Sequence, residues 1–165
     1  MLRMTKQEWS TGDSRIEPEA RFRTNSPSVT AEVIDGEAII IHLVNGNYYS
    51  LDNAGADIWM LLASHQMLGS IVEYMAQRYQ DPKLEIRASI VGLISELLEE
   101  ELIVPCTDLG SVAPVESEVL SREGRTEFQR PVLRKFTDMQ ELLILDPIHE
   151  VDEAGWPNKK YPSSV

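Results

Sequence analysis

Two dipeptides, Asp35-Gly36 and Asn45-Gly46, constrain this chain more than any other feature. Both central positions of a type I′ turn want φ > 0, which Asn, Asp and Gly tolerate best. The turns separate three apolar, β-branched or aromatic runs at 28–34, 37–43 and 47–51, predicting an antiparallel meander. On the third strand Tyr49 and Leu51 share one face, expected toward the core, while Tyr48 and Ser50 share the other. A small sheet followed only by helices leaves a strand with an open edge, where another extended segment can pair.

From residue 52 the period changes from two to that of a helix. A first helix is expected to open at Asp52 or Asn53, either able to cap it, and to bury Ile58, Trp59, Leu61 and Leu62. Gly55 in its first turn suggests close approach to the sheet. A second helix carries Leu68, Ile71, Val72, Met75, Ala76 and Tyr79 at i, i+3, i+4, i+7 and i+8 spacing. Asp81-Pro82 then reads as a capping side chain followed by proline at the first helical position. The third helix runs from 83 to about 102, with Ile86, Ile90, Leu93, Ile94 and Leu97 on one stripe. It ends in Glu99-Glu100-Glu101, acid where the helix dipole disfavours it; this is either a solvated face or a docking site for cations. Residues 1–27 lack a period and read as a loose arm, and 105–127 as a polar linker. The segment 128–133 reads as extended, because Pro131 cannot donate to a ladder. Phe136, Met139, Leu142 and Leu143 then fit one helical face, stopped at Asp146-Pro147.

Charge and composition exclude several functions. The chain of 165 residues has net charge −12, and residues 28–104 hold 3 basic against 12 acidic side chains. Such a domain repels a phosphate backbone and suits a basic peptide. Residues 122–135 are the reverse, with 5 basic against 2 acidic side chains. Cys106 is the single cysteine, which rules out an intramolecular disulfide or a multi-cysteine metal site. His42, His65 and His149 are scattered without carboxylate or cysteine at ligand spacing, so no metal or other cofactor is expected. No phosphate loop, nucleophile elbow or activated thiol is visible, so no catalytic residues are assigned and an enzyme is not expected. The start lacks a signal-peptide core and no apolar run reaches a membrane span, so the expected location is cytoplasmic.

The series Asp35-Gly36-Glu37-Ala38-Ile39-Ile40-Ile41-His42-Leu43, Asn47-Tyr48-Tyr49-Ser50-Leu51-Asp52 and Gly55-Ala56-Asp57-Ile58-Trp59, with the close Leu97-Leu98-Glu99-Glu100-Glu101-Leu102-Ile103, resembles the PqqD-like family. The resemblance covers residues 28–104. It implies an α+β, winged-helix-like domain of a three-stranded antiparallel sheet and three helices, here with a C-terminal extension. It also implies a recognition element for ribosomally made, post-translationally modified peptides. In that family a precursor's leader adds as a strand beside the third strand, lies against the third helix, and is presented to a modifying enzyme. The implied peptide-binding residues are Asn47, Tyr48, Tyr49, Ser50 and Leu51 on the strand and Arg87, Val91, Ile94, Ser95 and Leu98 on the helix.

A second resemblance lies near the other end. Phe128-Gln129-Arg130-Pro131-Val132-Leu133 is similar to the leader motif of lasso-peptide precursors: an aromatic, proline three later, leucine two after that. Thr137 stands where those leaders usually have glycine. The resemblance implies a leader-like segment using Phe128, Pro131, Leu133, Phe136, Met139 and Leu142. Receptor and ligand-like segment on one chain would meet in cis, or exchange between copies as a swapped dimer. Three other readings stay open: a precursor fused to its own recognition domain, a winged-helix DNA-binding regulator, and a structural adaptor that docks a partner enzyme through the acidic face. The second needs a basic recognition helix, but residues 83–102 hold only Lys83 and Arg87 against Glu85, Glu96, Glu99, Glu100 and Glu101.

Overall fold

A computed structural model of the chain describes residues 16–107 and 125–137. The element order is β1 (Phe22–Thr24), β2 (Val29–Ile34), β3 (Glu37–His42), β4 (Tyr48–Asp52), α1 (Ala54–Ala63), α2 (Leu68–Arg78), α3 (Lys83–Glu99), β5 (Ile103–Pro105) and β6 (Arg134–Phe136). The expected sheet of three strands is corrected to two antiparallel sheets, one of order β2-β3-β4-β6 and one pairing β1 with β5.

The meander itself follows from the turns. Asp35 and Gly36 take φ of 51° and 82°, as a tight hairpin between β2 and β3 demands. The Asn45-Gly46 connection differs from expectation. Only Gly46 of that pair has positive φ, at 72°. His42 N–H donates to the Asn47 carbonyl (2.9 Å), so residues 43–46 form a four-residue loop instead of a two-residue one. Tyr49 and Leu51 point inward and are completely buried, beside Ala38 and Ile40 of β3.

Each helix buries the stripe its periodicity indicates. Ile58, Trp59, Leu61 and Leu62 of α1, Leu68, Ile71, Val72 and Met75 of α2, and Ile86, Ile90, Leu93, Ile94 and Leu97 of α3 join one core with the inner face of the sheet. The caps differ. Asn53 precedes α1 at φ 47° with no side-chain cap, and Pro82, not Asp81, holds the N-cap position of α3. The first amides of α2 are satisfied from outside the helix: Leu68 N–H donates to the Ala20 carbonyl (2.9 Å) and Gly69 N–H to that of Pro18 (2.8 Å).

That contact explains why the stretch before residue 27 is not all loose arm. Phe22 is buried to 1% exposure, β1 pairs with β5 from Phe22↔Pro105 to Thr24↔Ile103, and the carbonyls before it complete a helix end. Pairing of this kind, between residues some eighty apart, leaves no periodic trace in a three-residue strand. The linker margins move for the same reason: Pro105 ends β5, and Thr126 bridges Tyr79 in parallel. Phe136, expected on a helix, lies in β6 because β4 offers its backbone a ladder there. Met139, Leu142 and Leu143 fall outside the described residues. None of the helices among the described residues is long and apolar enough to cross a membrane.

A candidate peptide groove and its occupant

The groove runs from the junction of α2 and α3, over the start of α1, to the edge of β4 that pairs with β6. Residues 125–137 lie along its whole length.

At the first end, Arg125 sits over the C-terminus of α2. Its guanidinium donates to the Ala76 (3.1 Å) and Tyr79 (2.8 Å) carbonyls, matching a cation to the negative end of the helix. Gln80 N–H donates to the Thr126 carbonyl (3.1 Å), and Gln80 Nε2 to that of Arg125 (2.8 Å). Asp81 Oδ2 accepts the Phe128 N–H at 2.9 Å, so the side chain that sequence assigns as a helix cap is turned to the segment instead. The Phe128 ring meets the edge of Tyr79, with centroids 5.4 Å apart at 77°. Tyr79 is itself held by the buried Asp57, whose Oδ2 accepts from Tyr79 Oη and from Arg78 Nε, each at 2.9 Å. Burial first, then the Asp57 charge, pushes the Tyr79 phenol up to about 12. This seat is preorganised by the domain.

In the middle, Pro131 crosses α1 at Gly55. A Cβ there would lie 3.1 Å from Leu51 Cδ2, so glycine lets α1 lie close on β4, and it would touch Pro131 Cβ at 3.4 Å, ordinary van der Waals contact. Leu133 and Phe128 pack against the core, while Val132 between them points out. Asp81, Glu85, Ala88 and Ser89 enclose a cleft of about 400 Å³ with Phe128 and Arg130. Arg130 then passes over Gly92, one turn further along α3.

At the last end β6 pairs antiparallel with β4 in the register Ser50↔Arg134, Tyr49↔Lys135 and Tyr48↔Phe136. Phe136 stacks on Tyr48, with centroids 4.6 Å apart and planes 11° from parallel. Arg134 reaches Asp52 Oδ2 at 3.0 Å. Lys135 Nζ donates to both Glu100 oxygens (2.8 and 3.0 Å), and Tyr49 Oη donates to Glu100 Oε2 at 2.7 Å. Partial burial raises the Glu100 carboxyl, but the Lys135 and Tyr49 hydrogen bonds outweigh it and hold the group below its ordinary value. The same Glu100 contact raises Lys135, and burial followed by the Glu100 bond raises Tyr49.

The residues assigned to peptide binding divide in two. Asn47, Tyr48, Tyr49, Ser50 and Leu51 line or adjoin the β4 edge that carries β6, with Tyr49 and Leu51 directed into the core. On α3 the segment meets a different flank. Arg87 donates to the Ile16 carbonyl (3.4 Å), Ile94 is in the core, Leu98 packs on it beside Val91, and the Ser95 hydroxyl turns back to the Val91 carbonyl (3.0 Å). Glu85, Ala88, Ser89 and Gly92 stand on the opposite side of the buried stripe at about 100° per residue. Amphipathic periodicity locates the buried stripe but does not say which of its two flanks adjoins β4. The small residues Ala88, Ser89 and Gly92 at helical spacing were the available signal, since they let a backbone approach a helix closely.

Residues 37–103 match the family described as Coenzyme PQQ synthesis protein D (PqqD). Two solved structures align with about half of the chain. TbiB1 in complex with the TbiA(beta) leader peptide is 27% identical, covering 52% of this chain and 99% of that one at TM-score 0.48. Lasso peptide synthetase B1 complexed with the leader peptide is 20% identical, covering 53% of this chain and 99% of that one at TM-score 0.46. No curated protein matches the chain. The family match spans 67 of the chain's 165 residues, from Glu37 in β3 to Ile103 in β5.

Proposed function

We propose that this protein is a non-catalytic peptide-binding protein of ribosomal peptide maturation. Its domain takes a precursor's leader as an added strand on β4 and offers the bound peptide to a modifying enzyme. Residues 125–137 then act as a leader-like occupant of the same groove. One observation carries the reading: an extended segment of the chain lies antiparallel on β4, with Phe128, Pro131 and Leu133 directed at the domain. Strand addition of this kind takes affinity from main-chain pairing and specificity from alternate side chains. The PqqD match over the receiving strands and helices supports it.

Occupation in cis has a quantitative consequence. For a connection of about 20 residues that behaves as a flexible chain, the span is roughly 25 Å and the effective concentration on the order of millimolar. Against a tethered segment of about micromolar intrinsic affinity, an outside leader then competes at a disadvantage of about a thousandfold. The test is titration of a synthetic peptide of residues 125–137 into the full chain and into its Pro131→Ala/Leu133→Ala variant. Tighter binding to the variant is the expected result, and unchanged titrations in the two proteins reject the reading.

Because the occupant belongs to the chain, the geometry also fits a precursor fused to its own recognition domain, with residues after about 145 as substrate. Intact mass after co-expression with neighbouring maturation enzymes separates the two, an unaltered mass counting against fusion.

A further inference from the structure

We infer that Tyr48, Asp52 and Glu100 form a register-reading subsite, selecting an extended peptide that carries two consecutive cations followed by an aromatic ring. This rests on the peptide-binding reading above and names the class of peptide the groove accepts.

The argument starts from what backbone pairing cannot do. The β4–β6 ladder has three residue pairs, and main-chain hydrogen bonds are alike at every position. A strand held by them alone slips, and a slip of one residue sends every side chain to the opposite face. Something beside β4 must therefore fix the register. On the outer face Arg134, opposite Ser50, reaches diagonally to Asp52 (3.0 Å), and Phe136, opposite Tyr48, stacks on that ring (4.6 Å). On the other face Lys135, opposite Tyr49, meets the carboxylate of Glu100 and lies 5.8 Å from the Tyr49 ring centroid.

Only one register satisfies all three contacts. Moving Phe136 opposite Tyr49 sets an apolar ring against Glu100 and takes its cation away. Moving Lys135 opposite Tyr48 forfeits the aromatic stack and removes the cation from Asp52. A slip of two keeps the faces but brings Phe136 beside Asp52 or Arg134 beside Tyr48. The acceptor at Glu100 is also set in place from within the domain, because the Tyr49 phenol bonds it and its backbone N–H donates to the Glu96 carbonyl (3.0 Å).

These contacts discriminate between registers more than they add affinity. Arg134 and Lys135 are 54% and 41% exposed, so each pair is screened by water and salt. Loss of one pair is expected to weaken binding a few-fold, and reversal of a charge about tenfold at low ionic strength.

The test uses the full chain bearing Pro131→Ala/Leu133→Ala and synthetic peptides of residues 125–137. The native peptide is compared with peptides bearing Arg134→Glu, Lys135→Glu or Phe136→Ala. Expected are weaker binding by all three and recovery when the charges are exchanged: the Lys135→Glu peptide on a Glu100→Lys chain, and the Arg134→Glu peptide on an Asp52→Lys chain. The Asp52 exchange lies on the outer face and disturbs no core residue, so it stands if the Glu100 variant misfolds. Equal affinity of all four peptides, with no recovery on exchange, overturns the subsite while leaving peptide binding intact. Failure of every peptide to bind overturns both.

Discussion

Asp81 shows how a local rule loses to a tertiary partner. Aspartate before proline is a sound helix-start signal and the helix does begin at Lys83, yet the Asp81 carboxylate accepts the N–H of Phe128 and Pro82 holds the N-cap position. Replacing it with alanine leaves a half-buried amide without its charged acceptor, a loss of about 1–2 kcal/mol. Asp81→Ala is therefore expected to speed hydrogen exchange and proteolysis within 125–137 while α3 stays protected. His42 presents the opposite case. It faces inward from the end of β3 at 4% exposure, and neither ring nitrogen has a hydrogen-bond partner among the described residues. An unsatisfied buried polar group costs about 1–3 kcal/mol, so His42→Leu is expected to raise the thermal midpoint. Alternation along β3 puts His42 on the face of Ala38 and Ile40, so its position under the sheet was legible in the sequence. Gly55 was readable, since a glycine in a first helical turn has few uses besides close approach.

Among the elements, β4 and α3 make the groove, and their charges set its working range. The Glu100 carboxyl is held below its ordinary value of 4.5, so its contribution to docking is complete above about that pH and is lost as pH falls through the lowered value. Lys135 is raised above 10.5, so its contribution is complete below that pH and is lost as pH rises through the raised value. Protection of the β4–β6 amides should thus be greatest between these limits. Glu100→Gln should flatten the acid limb, as followed by hydrogen exchange or by fluorescence of a label on residue 137. The buried stripes of all three helices were legible because 3.6-residue periodicity is a local property. The flank of α3 that meets the segment was not, since Ala88, Ser89 and Gly92 acquire meaning only when Phe128 and Arg130 are placed beside them. The β1–β5 pair was equally hidden, because Phe22 meets Pro105 and Thr24 meets Ile103 across some eighty residues of sequence.

For the molecule as a whole, the proposed docking in cis makes covalent connection the quantity that sets how full the groove is. Inserting a protease site between 108 and 124 and cutting there replaces a local concentration of about a millimolar by the bulk value. The released fragment is expected to stay bound at high protein concentration and to dissociate on dilution through the low micromolar range, read by size exclusion. Raising salt should shift that transition to higher protein concentration, because Arg134–Asp52 and Lys135–Glu100 are exposed pairs. A fragment retained at all dilutions would mean that the segment is part of the folded core and not an exchangeable occupant.

By itself the sequence determined what depends on neighbours along the chain: the hairpin at Asp35-Gly36, the inward side of β4, the core stripe of each helix, and the opposed charges of the domain and of 122–135. Tertiary structure alone decided in what register the β4 edge receives the segment, and against which flank of α3. Those choices rest on contacts between residues tens of positions apart, such as Tyr48 with Phe136 and Tyr79 with Phe128. Such pairs have no period, and only the closed fold brings them within reach.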